Sequence, residues 1–205
     1  MPTFRLCLGM FGLASTLLAQ SVPKTFDASV PRETQIELAR GAAPKEVSEK
    51  ATVYVLTAKG YARAVKGTNG FTCLVSHEVP GTLEPECHDA EGTRSVIPVR
   101  LWQEELRVQG KSEDAIKQAT AAAYASKKFR APSRTGIAYM LSPHNRVYDP
   151  DSKRVISFPP HLMFYAPYLK SEDLGGAPGN GIPYIVNPGE PDALIIVVPQ
   201  TKTSE

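Results

Sequence analysis

The side chains best suited to do chemistry lie in one apolar run near the C-terminal end, Pro159-Pro160-His161-Leu162-Met163-Phe164-Tyr165-Ala166-Pro167-Tyr168. Side chains alternate along an extended strand, so His161, Met163 and Tyr165 share one face, which Tyr139 and His144 from a neighbouring strand could join. An imidazole titrates near neutral pH, so His161 could act as the base of a hydrolase-like enzyme, with Tyr139 or Tyr165 as its polar partner. The same cluster could instead hold a ligand, or be a core histidine bonded to backbone beside packing tyrosines. Geometry separates these readings. An enzyme needs His161 in an open cleft within reach of a second polar group, whereas a core histidine is sealed.

A second group spans Cys73-x3-His77-x9-Cys87-His88, with Glu84, Glu86, Asp89 and Glu91 close by. Two cysteines with two histidines raise a metal site through His77 and His88, and the carboxylates of Glu86, Asp89 and Glu91 raise a hard cation such as calcium. The spacing fits neither well. No Cys-x2-Cys pair occurs, adjacent Cys87 and His88 cannot easily both turn toward one tetrahedral ion, and the carboxylates do not follow the EF-hand pattern. The expectation is a Cys73–Cys87 disulfide beside a solvated acidic loop, with no metal and no cofactor. A loop of this length, once closed, stabilises a fold by about 3 kcal/mol in the chain-entropy model.

The disulfide depends on compartment, which the N-terminus addresses. Arg5 precedes the apolar stretch Leu6–Leu18, and Ala19 offers a small residue at a cleavage point, the pattern of a secretory signal peptide. The stretch is short for a membrane span, although an uncleaved anchor is the alternative. Export to the periplasm or beyond the cell is expected, and Cys7 leaves with the signal. Nothing later in the chain is apolar for long enough to span a bilayer. The net charge of +2 over 205 residues provides no basic face of the kind phosphate backbones require, which argues against nucleic-acid partners. Phosphate-binding glycine loops, Gly-x-Ser-x-Gly and His-Glu-x-x-His are all absent from the sequence. The common nucleotide, esterase and metalloprotease readings go with them.

The elements that must position these residues form an α+β pattern. After a signal peptide (1–19) and a flexible leader (20–31), a single domain is expected over 32–205. It opens with a short helix from Pro31 that ends at Gly41 and Pro44. Runs at 53–56, 61–66 and 71–75 read as a three-strand antiparallel meander, turning at Lys59-Gly60 and Asn69-Gly70. Cys73 would then tie the third strand to an irregular segment around Pro80–Pro85. Val96–Gln109 reads as a helix whose apolar face is Val99, Trp102 and Leu106. A second helix starts at the cap Ser112, and its alanine run, Ala119–Ala125, would let another element approach closely, so the two form an αα-hairpin on the sheet. Strands follow at 136–141, in a hairpin over 145–158, at 161–165 and at 194–198. Between the last two, 173–191 is rich in glycine and proline and reads as a long surface loop.

Six strings, IELARGAAP (36–44), GTNGFTCLV (67–75), EPECHDAEG (84–92), GIAYM (136–140), HLMFYAPY (161–168) and PDALIIVVP (191–199), resemble a family of exported bacterial proteins of uncharacterised activity. The resemblance covers most of the chain and implies an exported, cysteine-paired domain. It brings no mechanism. The expected role is non-catalytic, binding a small ligand or an envelope protein, with the His161 hydrolase as the alternative.

Overall fold

The computed structural model describes residues 22–77, 81–149, 151–175 and 183–199. It is an α+β fold in which an eight-stranded sheet runs in the order β2-β1-β3-β4-β5-β8-β10-β9. The strands are β1 (Thr52–Thr57), β2 (Gly60–Val65), β3 (Thr72–Ser76), β4 (Glu84–His88), β5 (Ile137–Met140), β8 (His161–Tyr165), β9 (Tyr184–Val186) and β10 (Leu194–Val197). A separate two-stranded ribbon pairs β6 (Arg146–Asp149) with β7 (Arg154–Ser157). Helix α1 (Arg32–Arg40) and the short α2 (Lys45–Ser48) precede the sheet, and α3 (Ala90–Ser95), α4 (Ile97–Val108) and α5 (Glu113–Ala125) fall between β4 and β5. None of the helices among the described residues is long and apolar enough to cross a membrane. The signal-peptide pattern lies outside the described residues.

The sheet is mixed rather than wholly antiparallel, and the expected meander is not formed. β1 and β2 make the anticipated hairpin, but β3 pairs with β1, in parallel, on the side away from β2. The reason lies in the Gly67–Gly70 connection. Only Gly70 takes a positive φ there, so Asn69-Gly70 does not build the tight hairpin turn that needs two such residues. Instead the Asn69 side chain accepts from the Phe71 amide and donates to the Val47 carbonyl, and the chain crosses under the start of β1. Gly67 permits this crossing: a Cβ on it would lie 2.2 Å from the Thr52 nitrogen.

Two further expectations are corrected. The segment after Gly81 is strand β4, regular and buried, because Glu84–His88 pairs with β3 on one side and with β5 on the other. Cys73 and Cys87 sit directly opposite each other in that ladder, 4.0 Å apart at Cα, joined as a disulfide. The 20–31 leader packs where it is described. Phe26 and Val30 are buried in the core, and the Arg146 guanidinium donates to the Pro23 and Lys24 carbonyls. Within 173–191, β9 adds an edge strand to β10.

Cross-strand partners share a face, so the register sorts the side chains. One face carries Val53, Val55, Cys73, Val75 and Cys87, and α1 covers it with Ile36, Leu38 and Ala39 in one apolar cluster. The other carries Leu74, Glu86, His88, Ala138, Met140, His161, Met163 and Tyr165. Val96, at the junction of α3 and α4, closes over its apolar part.

Candidate functional site

His161 and Tyr165 do share a face of β8, at opposite ends of the strand. His161 is buried, its Nδ1 lies 3.0 Å from the Pro159 carbonyl, and burial holds its pKa below the ordinary value although that carbonyl favours the proton. This is the sealed geometry. Tyr139 pairs with Leu162 and Cys87, so it points to the opposite face from His161 and cannot partner it. His144 is exposed in the loop after β5, in a shallow cavity beside Thr34, Glu37 and Gly41. The four candidates do not converge.

Tyr165 belongs elsewhere. Gly92 and Gly136 leave room for its ring, since a Cβ on either would lie within 3 Å of a ring or hydroxyl atom. Its hydroxyl donates to the Ile137 carbonyl at 3.3 Å and lies 2.9 Å from His88 Nδ1. On its far side, His88 Nε2 lies 3.3 Å from one oxygen of Glu86, and Arg100 Nε lies 3.4 Å from the other. His88 and Glu86 are almost wholly buried. Burial is the largest influence on Glu86 and opposes its ionisation, but Arg100 and His88 together outweigh it and hold the carboxyl below the ordinary range. Burial likewise pushes the Tyr165 hydroxyl far up.

Arg100 begins a charged stripe on α4. Arg100, Glu104 and Arg107 recur at helical spacing on one side of the helix. Glu104 is buried against His77, with Oε2 3.2 Å from His77 Nε2 and 3.4 Å from Arg107 Nη1. Arg107 grips Glu113, at the start of α5, through two hydrogen bonds of 2.8 and 3.0 Å. Gln103 Nε2 donates to Thr120 Oγ1 and completes the contact between the helices. The buried side of α4 therefore includes Ile97, Val99 and Glu104, while Trp102 and Leu106 are only partly covered, which corrects the apolar face expected from Val99, Trp102 and Leu106.

Of the acidic candidates, Asp89 caps α3, accepting from the Glu91 and Gly92 amides with Oδ1 and from the Ile137 amide with Oδ2. Glu91 is buried and accepts from Ser133 and Arg94, contacts that hold its carboxyl below the ordinary range, with the Ser133 amide the largest cause. The acidic segment is thus structured, not a solvated loop. Among the described residues, no group of three or more His, Cys, Asp or Glu side chains is placed to hold a metal ion.

The stripe opens into two clefts. One, about 440 Å³, has His77, Glu104 and Arg107 on its wall with Phe26, Asp27 and Thr57 opposite. The other, about 320 Å³, lies between α4, α5 and the segment 187–192. It presents cations from Arg100, Arg107 and Lys117 and anions from Glu113, Asp114, Glu190 and Asp192. Tyr124 closes one end, its hydroxyl pushed up to about 12 by burial and by Asp192. Ion pairs to Glu86 and Glu113 hold Arg100 and Arg107 in place, so the wall of the cleft is fixed before any ligand arrives. Sequence reasoning did not single out this cleft. Its one local signal was the Arg100, Glu104, Arg107 repeat along one side of α4. No protein-family model matches the chain, and no curated protein or solved structure matches it either.

Proposed function

We propose that this chain is an exported, non-catalytic binding protein that holds a small ligand carrying charges of both signs in the cleft between α4, α5 and 187–192. The observation that carries the reading is the lining of that cleft, about 320 Å³, where the Arg107–Glu113 pair and Arg100, itself anchored to Glu86, stand with Lys117, Asp114, Glu190 and Asp192. That volume lies at the small end of ligand sites and suits a molecule the size of an amino acid or dipeptide. Export is supported by the Arg5 and Leu6–Leu18 pattern and by the Cys73–Cys87 bond, which persists in oxidising compartments.

Calorimetric titration with free dipeptides and with the same dipeptides blocked at both ends tests it. The free forms bind saturably, the blocked forms bind at least about tenfold more weakly, and Lys117→Gln and Asp192→Asn each weaken the free forms by a similar factor. Equal binding of blocked and free forms, or no binding of either at millimolar concentration, overturns the reading.

A further inference from the structure

Beyond the far end of α5 lies a cavity of different character. It encloses about 460 Å³ and is lined by Tyr124, Phe129 and Tyr168 together with Lys127 and Arg130. Tyr168 is 61% exposed, which leaves much of its surface open to a ligand. Its backbone has φ of 66°, in the left-handed region that costs a bulky residue energy, and its amide is tied to the Glu190 carbonyl at 2.8 Å. Lys127 also takes a positive φ, 62°, where the chain leaves α5 and turns so that Phe129 packs against Trp102 and Tyr124. The Lys128 ammonium lies 4.0 Å from the centre of the Trp102 ring and 5.3 Å from that of Phe129, so one side of Phe129 is taken and a ligand must use the side toward the cavity.

We infer that this cavity is a binding site for an acidic glycan, with a sugar ring lying on Tyr168 and Phe129 and its carboxylate meeting Arg130 and Lys127. The C–H face of a pyranose is weakly positive and packs on the negative face of an aromatic ring. A uronate carboxylate is planar and matches the fork of a guanidinium. Neither half suffices alone: aromatic rings without the cations would take a neutral sugar, and cations on an open surface would take any polyanion. The concave shape and the small net charge of the chain favour a short oligosaccharide over a nucleic acid or an anionic bilayer.

The test titrates the full secreted chain with a tetragalacturonate, with a neutral tetrasaccharide of the same linkage, and with vesicles containing anionic phospholipid, following aromatic fluorescence and heat. The acidic oligosaccharide is expected to bind saturably and to weaken as salt is raised. Tyr168→Asn and Arg130→Gln should each reduce its affinity about tenfold, which corresponds to about 1.4 kcal/mol. Asparagine is chosen because it tolerates the left-handed backbone, and unchanged circular dichroism confirms that both variants fold. Equal affinity for the neutral tetrasaccharide, wild-type affinity in both variants, binding to vesicles alone, or no binding at millimolar concentration each overturns the inference. The cleft between α4 and α5 stands on other ligands and other variants, so failure here leaves that reading intact.

Discussion

On the α1 side of the sheet, Ile36, Leu38 and Ala39 close over Val53, Val55, Val75 and the Cys73–Cys87 pair. On the α4 side of the sheet, the strands instead offer buried Glu86 and His88, and the helix answers with Arg100. The first solution is tolerant. Each buried aliphatic side chain contributes about 1.5–3 kcal/mol through its area, and its neighbours need only fill volume. The second is exacting, because a buried ion pair roughly cancels its own desolvation cost and fails badly when one partner is lost. Its return is positional: charges that cannot relax into water hold the wall of a cleft.

Removing Glu86 should break that comparison most severely. Glu86→Ala leaves His88 and Arg100 without their shared carboxylate, and should cost about 3–5 kcal/mol by urea denaturation. The apolar counterpart Leu38→Ala should cost about 2–4 kcal/mol, a cavity penalty that neighbours partly absorb. If Glu86→Ala proves the milder of the two, the charged layer is not the exacting side. Replacing Cys73 and Cys87 by alanine together tests the apolar side without touching α1, and a loss of about 3 kcal/mol is expected in non-reducing buffer.

Acid tests the charged side through Glu86. The Glu86 carboxyl is held below its ordinary 4.5, so folding favours the deprotonated form and the unfolded chain takes up protons first as pH falls. Its contribution is intact above about pH 4.5 and is lost as pH drops toward the lowered folded value. Denaturation midpoints between pH 6 and 3 should therefore fall less steeply in Glu86→Gln than in the parent protein. Parallel slopes would remove Glu86 from the acid response. The smallest effect belongs to a helix end. The Ser112 hydroxyl accepts from the Ala115 amide at the start of α5, and Ser112→Ala should cost about 1 kcal/mol.

Local features were legible and long-range ones were not. The Ser112 cap, the β1–β2 hairpin, the α1 boundary and the alternation of β8 all follow from rules that act within a few residues. The parallel pairing of β1 with β3 does not, because it turns on Gly67 passing within van der Waals reach of Thr52. β4 was hidden by its own composition. Glu-Pro-Glu-Cys-His reads as a polar loop, and its burial makes sense only once Arg100, Tyr165 and the β3 and β5 ladders are in place. The candidate site was missed for the same reason: its charges come from α4, α5 and 187–192, which periodicity cannot bring together. The alanine run divides: Ala123 is buried, while Ala121, Ala122 and Ala125 are exposed, where small size marks helix propensity.

The Cys73–Cys87 bond bears on time as well as on stability. Both cysteines are fully buried, bonded across the middle of a sheet and roofed by α1. A thiolate must reach a sulfur along the bond axis, so no reductant can attack while β3 and β4 stay paired beneath that helix. Reduction therefore waits on an opening event, and at high reductant concentration its rate stops rising and equals the frequency at which this part of the sheet comes apart. The disulfide is thus a built-in clock, read by trapping the released thiols, for the lifetime of the sheet that carries both faces.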